Sequence, residues 1–154
     1  MGLDMYLTAR RTYYTSFGSA PPKVVEVPDS YVVRAVEVEV VYWRKANAIH
    51  AWFVKNVQGD VDQCEAFDIT GEQLLALRHL CADLLLNRDL DVAAEKLPPK
   101  AGFFFGSTGI DGNYWSDLQY TVASIDKALA AFPAWVDGVH NPDALWDYKY
   151  QSSW

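Results

Sequence analysis

The residues best suited to chemistry lie in the stretch YWRKANAIHAWF, residues 42–53, where a strand-like pattern changes into a helical one. Asn47 and His50 fall at the edge of the apolar arc of the predicted helix, so they should be half-buried and able to hydrogen-bond a ligand. The alternative is structural, because buried polar side chains usually satisfy other groups of the protein. Within about two helical turns the stretch presents Trp43, Arg44, Lys45, Asn47 and His50.

Arg44 and Lys45 are predicted to lie in the first turn of this helix. Exposed backbone N–H groups and the positive end of the helix dipole would add to their affinity for an anion, so a phosphate or a carboxylate could bind there. The alternative is a solvated pair of charges that slightly opposes the dipole.

A second candidate segment is GFFFGSTGIDGNYW, residues 102–115, which reads as a strand followed by a small-residue loop and a helix. Small ligands often bind at such junctions. No Lys or Arg lies between Phe103 and Trp115, so the segment is not a P-loop, and phosphate would be held by N–H groups and hydroxyls. A tight structural turn is the alternative. The ligand-binding candidates here are Gly106, Ser107, Thr108 and Trp115, with Trp43 or Trp115 available to stack on a base.

Metal and nucleophile chemistry has little support in the sequence. The closest set of ligands, His50, Asp60, Asp62 and Cys64, lacks the spacing of known metal motifs, so neither a metal nor a cofactor is predicted. Cys64 and Cys81 are predicted to be free thiols. The sequence therefore favours a protein that is not an enzyme. The alternative is a small hydrolase or transferase, in a metal-assisted form or without metal, with His50 as general base.

The elements that must position these residues follow from periodicity. Thr70 and Gln73 form a capping-box pattern before a leucine-rich helix. A turn-rich connection is predicted over 16–28 from its Gly and Pro residues. The predicted order is a strand over 4–10, a strand over 31–42, a helix over 43–57, the helix after Thr70, a strand buried on both faces over 102–105, a helix from Tyr114 or Ser116 to Ala131, and a strand over 145–154.

This order predicts a single α+β domain over residues 1–154, with one antiparallel or mixed sheet covered on one side by about three helices. The strand over 31–42 alternates, which places Val36, Val38, Val40 and Tyr42 on one face and Glu37 and Glu39 on the other. A C-terminal strand at the edge of the sheet could pair between subunits, so a homo-oligomer is possible.

Composition limits the partners. The formal net charge is −7, which disfavours direct binding to nucleic acid. No apolar run approaches the about 20 residues that a membrane span needs, and the N-terminal MGLDMYL lacks a signal-peptide pattern. A cytoplasmic location is therefore expected.

The segments MGLDMYL (1–7), YWRKANAIHAWFV (42–54), GFFFGST (102–108) and YQSSW (150–154) together resemble a family of small uncharacterised proteins encoded by bacteriophages, prophages and bacteria. The family carries no established activity, so the resemblance transfers no catalytic residue. It implies a phage-type accessory protein in the host cytoplasm. Such a protein could act in counter-defence, by sequestering a small anionic or nucleotide ligand or by blocking a host protein.

Overall fold

The computed structural model describes residues 2–14, 18 and 27–154, and most of the predicted turn-rich connection over 16–28 lies outside them. Within this part of the chain, four strands and four helices form an α+β fold, as the sequence predicts. The elements are β1 (Asp4–Thr12), β2 (Ala35–Arg44), α1 (Asn47–Asn56), β3 (Phe67–Ile69), α2 (Gly71–Asn87), α3 (Leu90–Lys96), α4 (Gly112–Ala131) and β4 (Asp147–Ser153).

The four strands form one sheet in the order β2-β1-β4-β3, and every pairing is antiparallel. The N-terminal and C-terminal strands pair with each other in the middle of the sheet. Because β4 pairs with β1 on one side and with β3 on the other, the C-terminal strand does not form the sheet edge, contrary to expectation.

One face of the sheet is buried under the helices. Alternation along β1 and β4 places Met5, Leu7, Tyr148 and Tyr150 on this face, each at most 2% exposed. The ring of Phe53 in α1 stacks on the ring of Tyr150, with centroids 3.8 Å apart. Such burial of apolar area, at about 25 cal/mol per Å², is the main term that holds helices to a sheet.

A β-bulge in β2 changes the predicted alternation. Glu39 pairs with Thr8 and Val41 pairs with Leu7, so Val40 is an extra residue on β2. Before the bulge the glutamates are exposed, as predicted. After it the faces exchange, so Tyr42, predicted on the apolar face, is exposed. The pattern of β2 alone could not show the bulge, because it arises from pairing with β1.

α1 is shorter than the helix predicted over 43–57. β2 continues through Arg44, and Lys45 then adopts a left-handed backbone with a φ of 59°. Ala46, with φ −75° and ψ 67°, forms an inverse γ-turn closed by the Asn47 N–H and the Lys45 carbonyl, 2.8 Å apart. The helix therefore begins at Asn47, and the prediction that Arg44 and Lys45 lie in its first turn is wrong.

The longer helices follow their end signals. Thr70 and Gln73 form the predicted capping box of α2. α4 begins at Gly112 rather than at Tyr114, because the Asp111 carboxylate accepts hydrogen bonds from two N–H groups of its first turn. No helix in the described ranges is both long enough and apolar enough to span a membrane.

The prediction of a buried strand over 102–105 is wrong. The segment is a turn in which the Phe105 N–H bonds to the Gly102 carbonyl, and the side chain of Phe103 is 94% exposed. Only Phe105 is buried. The run of phenylalanines has strand propensity, but its backbone forms no strand ladder: the Leu3 N–H donates to the Phe104 carbonyl and Asn47 donates to the Phe105 carbonyl.

Candidate functional site

A cleft of about 290 Å³ opens where β2 turns into α1, opposite the loop over 106–111 and the first turns of α4. The structure thus brings together the two segments that the sequence singled out. The residues of the cleft that matter for its chemistry are Arg44, Lys45, Asn47, Gly106, Ser107 and Asp117.

The backbone around Lys45 forms one wall of the cleft. The Lys45 N–H donates to the Leu3 carbonyl at 2.7 Å, which fixes the left-handed residue against β1. Gly106 faces it with a φ of +86°, and a Cβ at Gly106 would lie 3.3 Å from the Cβ of Lys45. A left-handed backbone costs a non-glycine residue about 1–2 kcal/mol, and such strain is concentrated at functional sites.

Asn47 holds the opposite loop in place. Its Nδ2 donates to the carbonyls of Phe105 at 2.9 Å and Ser107 at 2.8 Å, and its Oδ1 accepts from the Lys100 N–H at 3.1 Å. The residue is only 6% exposed. All three polar contacts of this amide are therefore made to backbone groups of the protein, and the contribution of Asn47 to the cleft is its shape.

The start of α1 supplies hydrogen-bond donors to the cleft. Its N-cap residue is Ala46, which has no side-chain acceptor, whereas α2, α3 and α4 each begin with a capping side chain. Within the described part of the chain, the N–H groups of Ala48 and Ile49 have no acceptor. Both residues line the cleft. These N–H groups, with the side chains of Arg44 and Lys45, are called the anion site below.

The two cations of the anion site are available to a ligand. The Arg44 side chain is 63% exposed, and its Nε lies 4.0 Å from an Asp4 oxygen, at the limit of an ion pair. Lys45 forms no ion pair with any residue that the structure describes. Arg44 is therefore only loosely paired, and Lys45 is unpaired among the described residues.

The cleft is also lined by two carboxylates, those of Asp111 and Asp117. Burial, with a smaller contribution from the charge of Asp111, raises the pKa of Asp117 to about 6. Sequence reasoning missed Asp117 and also Tyr114, whose ring lines the cleft. A signal was present, because Tyr114, Asp117 and Leu118 are three and four residues apart and so share one face of α4.

Four of the predicted binding residues, His50 among them, lie outside the lining of the cleft. Trp43 is 2% exposed, and its indole N–H donates to the Thr121 hydroxyl at 2.9 Å. Trp115 is 8% exposed and packs beneath the guanidinium of Arg88. Thr108 is exposed on the loop, away from the lining. Tyr114 lines the cleft, but it is only 5% exposed and its hydroxyl donates to the Leu97 carbonyl at 2.9 Å, so its ring is not available to stack on a ligand.

His50 points away from the cleft into a buried network. Its Nδ1 lies 2.7 Å from the Tyr150 hydroxyl and its Nε2 lies 3.0 Å from Asp62. The ring is fully buried, and this burial lowers the pKa of His50 against the opposing charge of Asp62. His50 is therefore neutral, with Nε2–H donating to Asp62 and Nδ1 accepting from Tyr150.

Asp62 connects this network to the surface. Its carboxylate also accepts from Lys100 Nζ at 2.7 Å and from the Trp154 indole at 3.2 Å. Burial disfavours its ionisation, but the hydrogen bonds from Lys100 and His50 outweigh that effect and lower the pKa of Asp62. Within the described ranges, no three His, Cys, Asp or Glu side chains are arranged to hold a metal ion.

Comparisons of the chain with known protein families, with characterised proteins and with solved structures gave no match. The resemblance to small phage-encoded proteins therefore stays a prediction. The functional argument rests on the geometry of the cleft.

Proposed function

We propose that the chain is a non-catalytic binding protein that holds a small anionic ligand in the cleft. The observation that carries this proposal is the anion site, where the uncapped start of α1 and the side chains of Arg44 and Lys45 line the same concavity.

Two independent effects favour an anion there. The unpaired N–H groups of Ala48 and Ile49 carry the positive end of the α1 dipole, equivalent to roughly half an elementary charge. Arg44 and Lys45 add two full positive charges beside them. The chain as a whole is acidic, with a net charge of −7, so these positive groups act against the net charge of the protein.

The size of the cleft restricts the ligand. A volume of about 290 Å³ lies at the lower end of the roughly 300–1,000 Å³ range of small-molecule pockets. A mononucleotide or a smaller phosphate or carboxylate suits that space.

The alternative function, a hydrolase or transferase with His50 as general base, gains no support from this geometry. The ring is fully buried, and both of its nitrogens are engaged by Tyr150 and Asp62. A general base must come within hydrogen-bond reach of the proton that it removes. The proposal therefore involves binding without catalysis.

The predicted resemblance supplies the wider role that we include in the proposal. A phage-type accessory protein with such a cleft would act in counter-defence by sequestering a small nucleotide signal. Blocking of a host protein through another surface is the alternative, and it needs no cleft ligand.

Calorimetric titration tests the proposal. Inorganic phosphate, nucleoside monophosphates and cyclic dinucleotides are titrated into the wild-type chain and into the Arg44→Ala, Lys45→Ala double variant. Loss of charge-assisted hydrogen bonds should weaken binding at least tenfold. Lys127→Ala, which removes an exposed lysine from α4, is the matched control and should bind as the wild type does.

Two outcomes would contradict the proposal. One is an absence of binding by the wild type across the panel. The other is equal binding by the wild type and the double variant, which would place the anion elsewhere on the protein.

A further inference from the structure

The cleft that contains the anion site also holds a carboxylate without a partner. Asp117 is half-buried on α4, and among the described residues no donor hydrogen-bonds to its side chain and no cation lies within ion-pairing distance. The neighbouring carboxylate of Asp111 is partly used, because its Oδ1 accepts from the N–H groups of Asn113 and Tyr114. Asp117 is therefore the cleft carboxylate with neither oxygen hydrogen-bonded to a described residue.

A half-buried carboxylate without a donor is an unfavourable arrangement. Removal from water disfavours its ionised form, and no protein group compensates. The rise in the pKa of Asp117 expresses this imbalance. Charged groups that are neither paired nor fully solvated are typical of sites in which the ligand supplies the missing partner.

We infer, as an extension that rests on the proposed function, that the ligand carries an amino or other N–H donor as well as its anionic group. Asp117 binds this donor, and Arg44 and Lys45 bind the anion. The ligand class is thus a small amino-bearing phosphate or carboxylate. Amino-substituted nucleotides and amino acids share this chemistry, and both are included in the test.

The opposite charges within the cleft also give orientation. An anion is attracted to the start of α1 and repelled by Asp117, while an amine has the reverse preference. A ligand with one group of each kind has one favoured direction in the cleft, whereas a simple anion binds at the anion site and leaves Asp117 unpaired.

Matched ligand pairs test the inference. Ethyl phosphate is compared with 2-aminoethyl phosphate, which differs only in its amine, together with longer homologues of both. Acetate is compared with glycine, and purine riboside monophosphate with adenosine monophosphate, which differs only in its amino group, so that the carboxylate and nucleotide sources are distinguished. The measured quantity is the affinity ratio within each pair.

We expect the wild type to prefer at least one amino-bearing member by about tenfold, as a charge-assisted hydrogen bond provides. In Asp117→Asn this ratio should fall to about one. Asp83→Asn, which removes an exposed carboxylate from α2, should keep the wild-type ratio.

The outcomes separate the two proposals. Equal affinities within every pair in the wild type, or a preference that survives in Asp117→Asn, would overturn the inference and leave the anion site standing. If no member of any pair binds, the proposed function fails and the inference fails with it.

Discussion

Replacement of Asn47 by alanine tests whether this residue shapes the cleft. The substitution removes three hydrogen bonds, to the backbones of Phe105, Ser107 and Lys100, from a side chain that is 6% exposed. At about 1 kcal/mol net for each bond, the free energy of unfolding should fall by about 3 kcal/mol. The higher helix propensity of alanine would offset about 0.5 kcal/mol of this loss.

Urea denaturation measures this loss. With an m-value of about 2 kcal/mol per M, the midpoint should move down by more than 1 M. The amide hydrogen of Lys100 should also exchange faster, because its acceptor is Asn47 Oδ1. The matched control is Asn56→Ala in the same helix, which removes one exposed hydrogen bond to the Trp52 carbonyl. That change should stay within about 0.5 kcal/mol. A loss below 0.5 kcal/mol in Asn47→Ala would refute the reasoning.

Three further predictions concern stability. Lys45→Gly should be more stable than Lys45→Ala by about 1 kcal/mol in urea denaturation, because both remove the side chain and only glycine relieves the left-handed backbone; the reverse order would contradict the strain. Burial lowers the pKa of His50, so stability should fall as pH drops below about 6.5, where the unfolded chain takes up the proton. In His50→Gln the loss of stability between pH 7 and pH 5.5 should be smaller than in the wild type. An equal loss in both proteins would count against this prediction. Burial raises the pKa of Asp117 to about 6, so its ionisation costs stability as pH rises from about 4 to 6. The free energy of unfolding of Asp117→Asn should exceed that of the wild type by about 1 kcal/mol at pH 7, a figure reduced because Asp117 is partly exposed. A variant less stable than the wild type would refute this prediction.

Much of the fold was predictable because its signals are local. The Thr70–Gln73 capping box and the apolar periodicity of α2 lie within a few residues of the structure that they specify. The alternation of β1 likewise identifies its buried face. The predictions that failed concern features that depend on distant partners. The bulge at Val40 arises from pairing with β1. The turn at 102–105 is held in part by Asn47, which is more than fifty residues away.

In the candidate site, too, the features with local sequence signals were predictable and those set by distant residues were not. The composition of the segments identified Arg44, Lys45 and Ser107, which do share one cleft. The direction of His50 was not predictable, since it is set by Asp62 and by Tyr150, a hundred residues further along the chain. The uncapped start of α1 depends on the backbone of Lys45 and Ala46, which no single residue type specifies.

The most direct test of the anion site is a titration of the isotope-labelled protein with ethyl phosphate, followed through its backbone amide resonances. Binding at the start of α1 predicts that the largest shifts occur at the N–H groups of Ala48 and Ile49, and that they disappear in the Arg44→Ala, Lys45→Ala variant. Saturable shifts that leave these two amides unmoved would contradict the account.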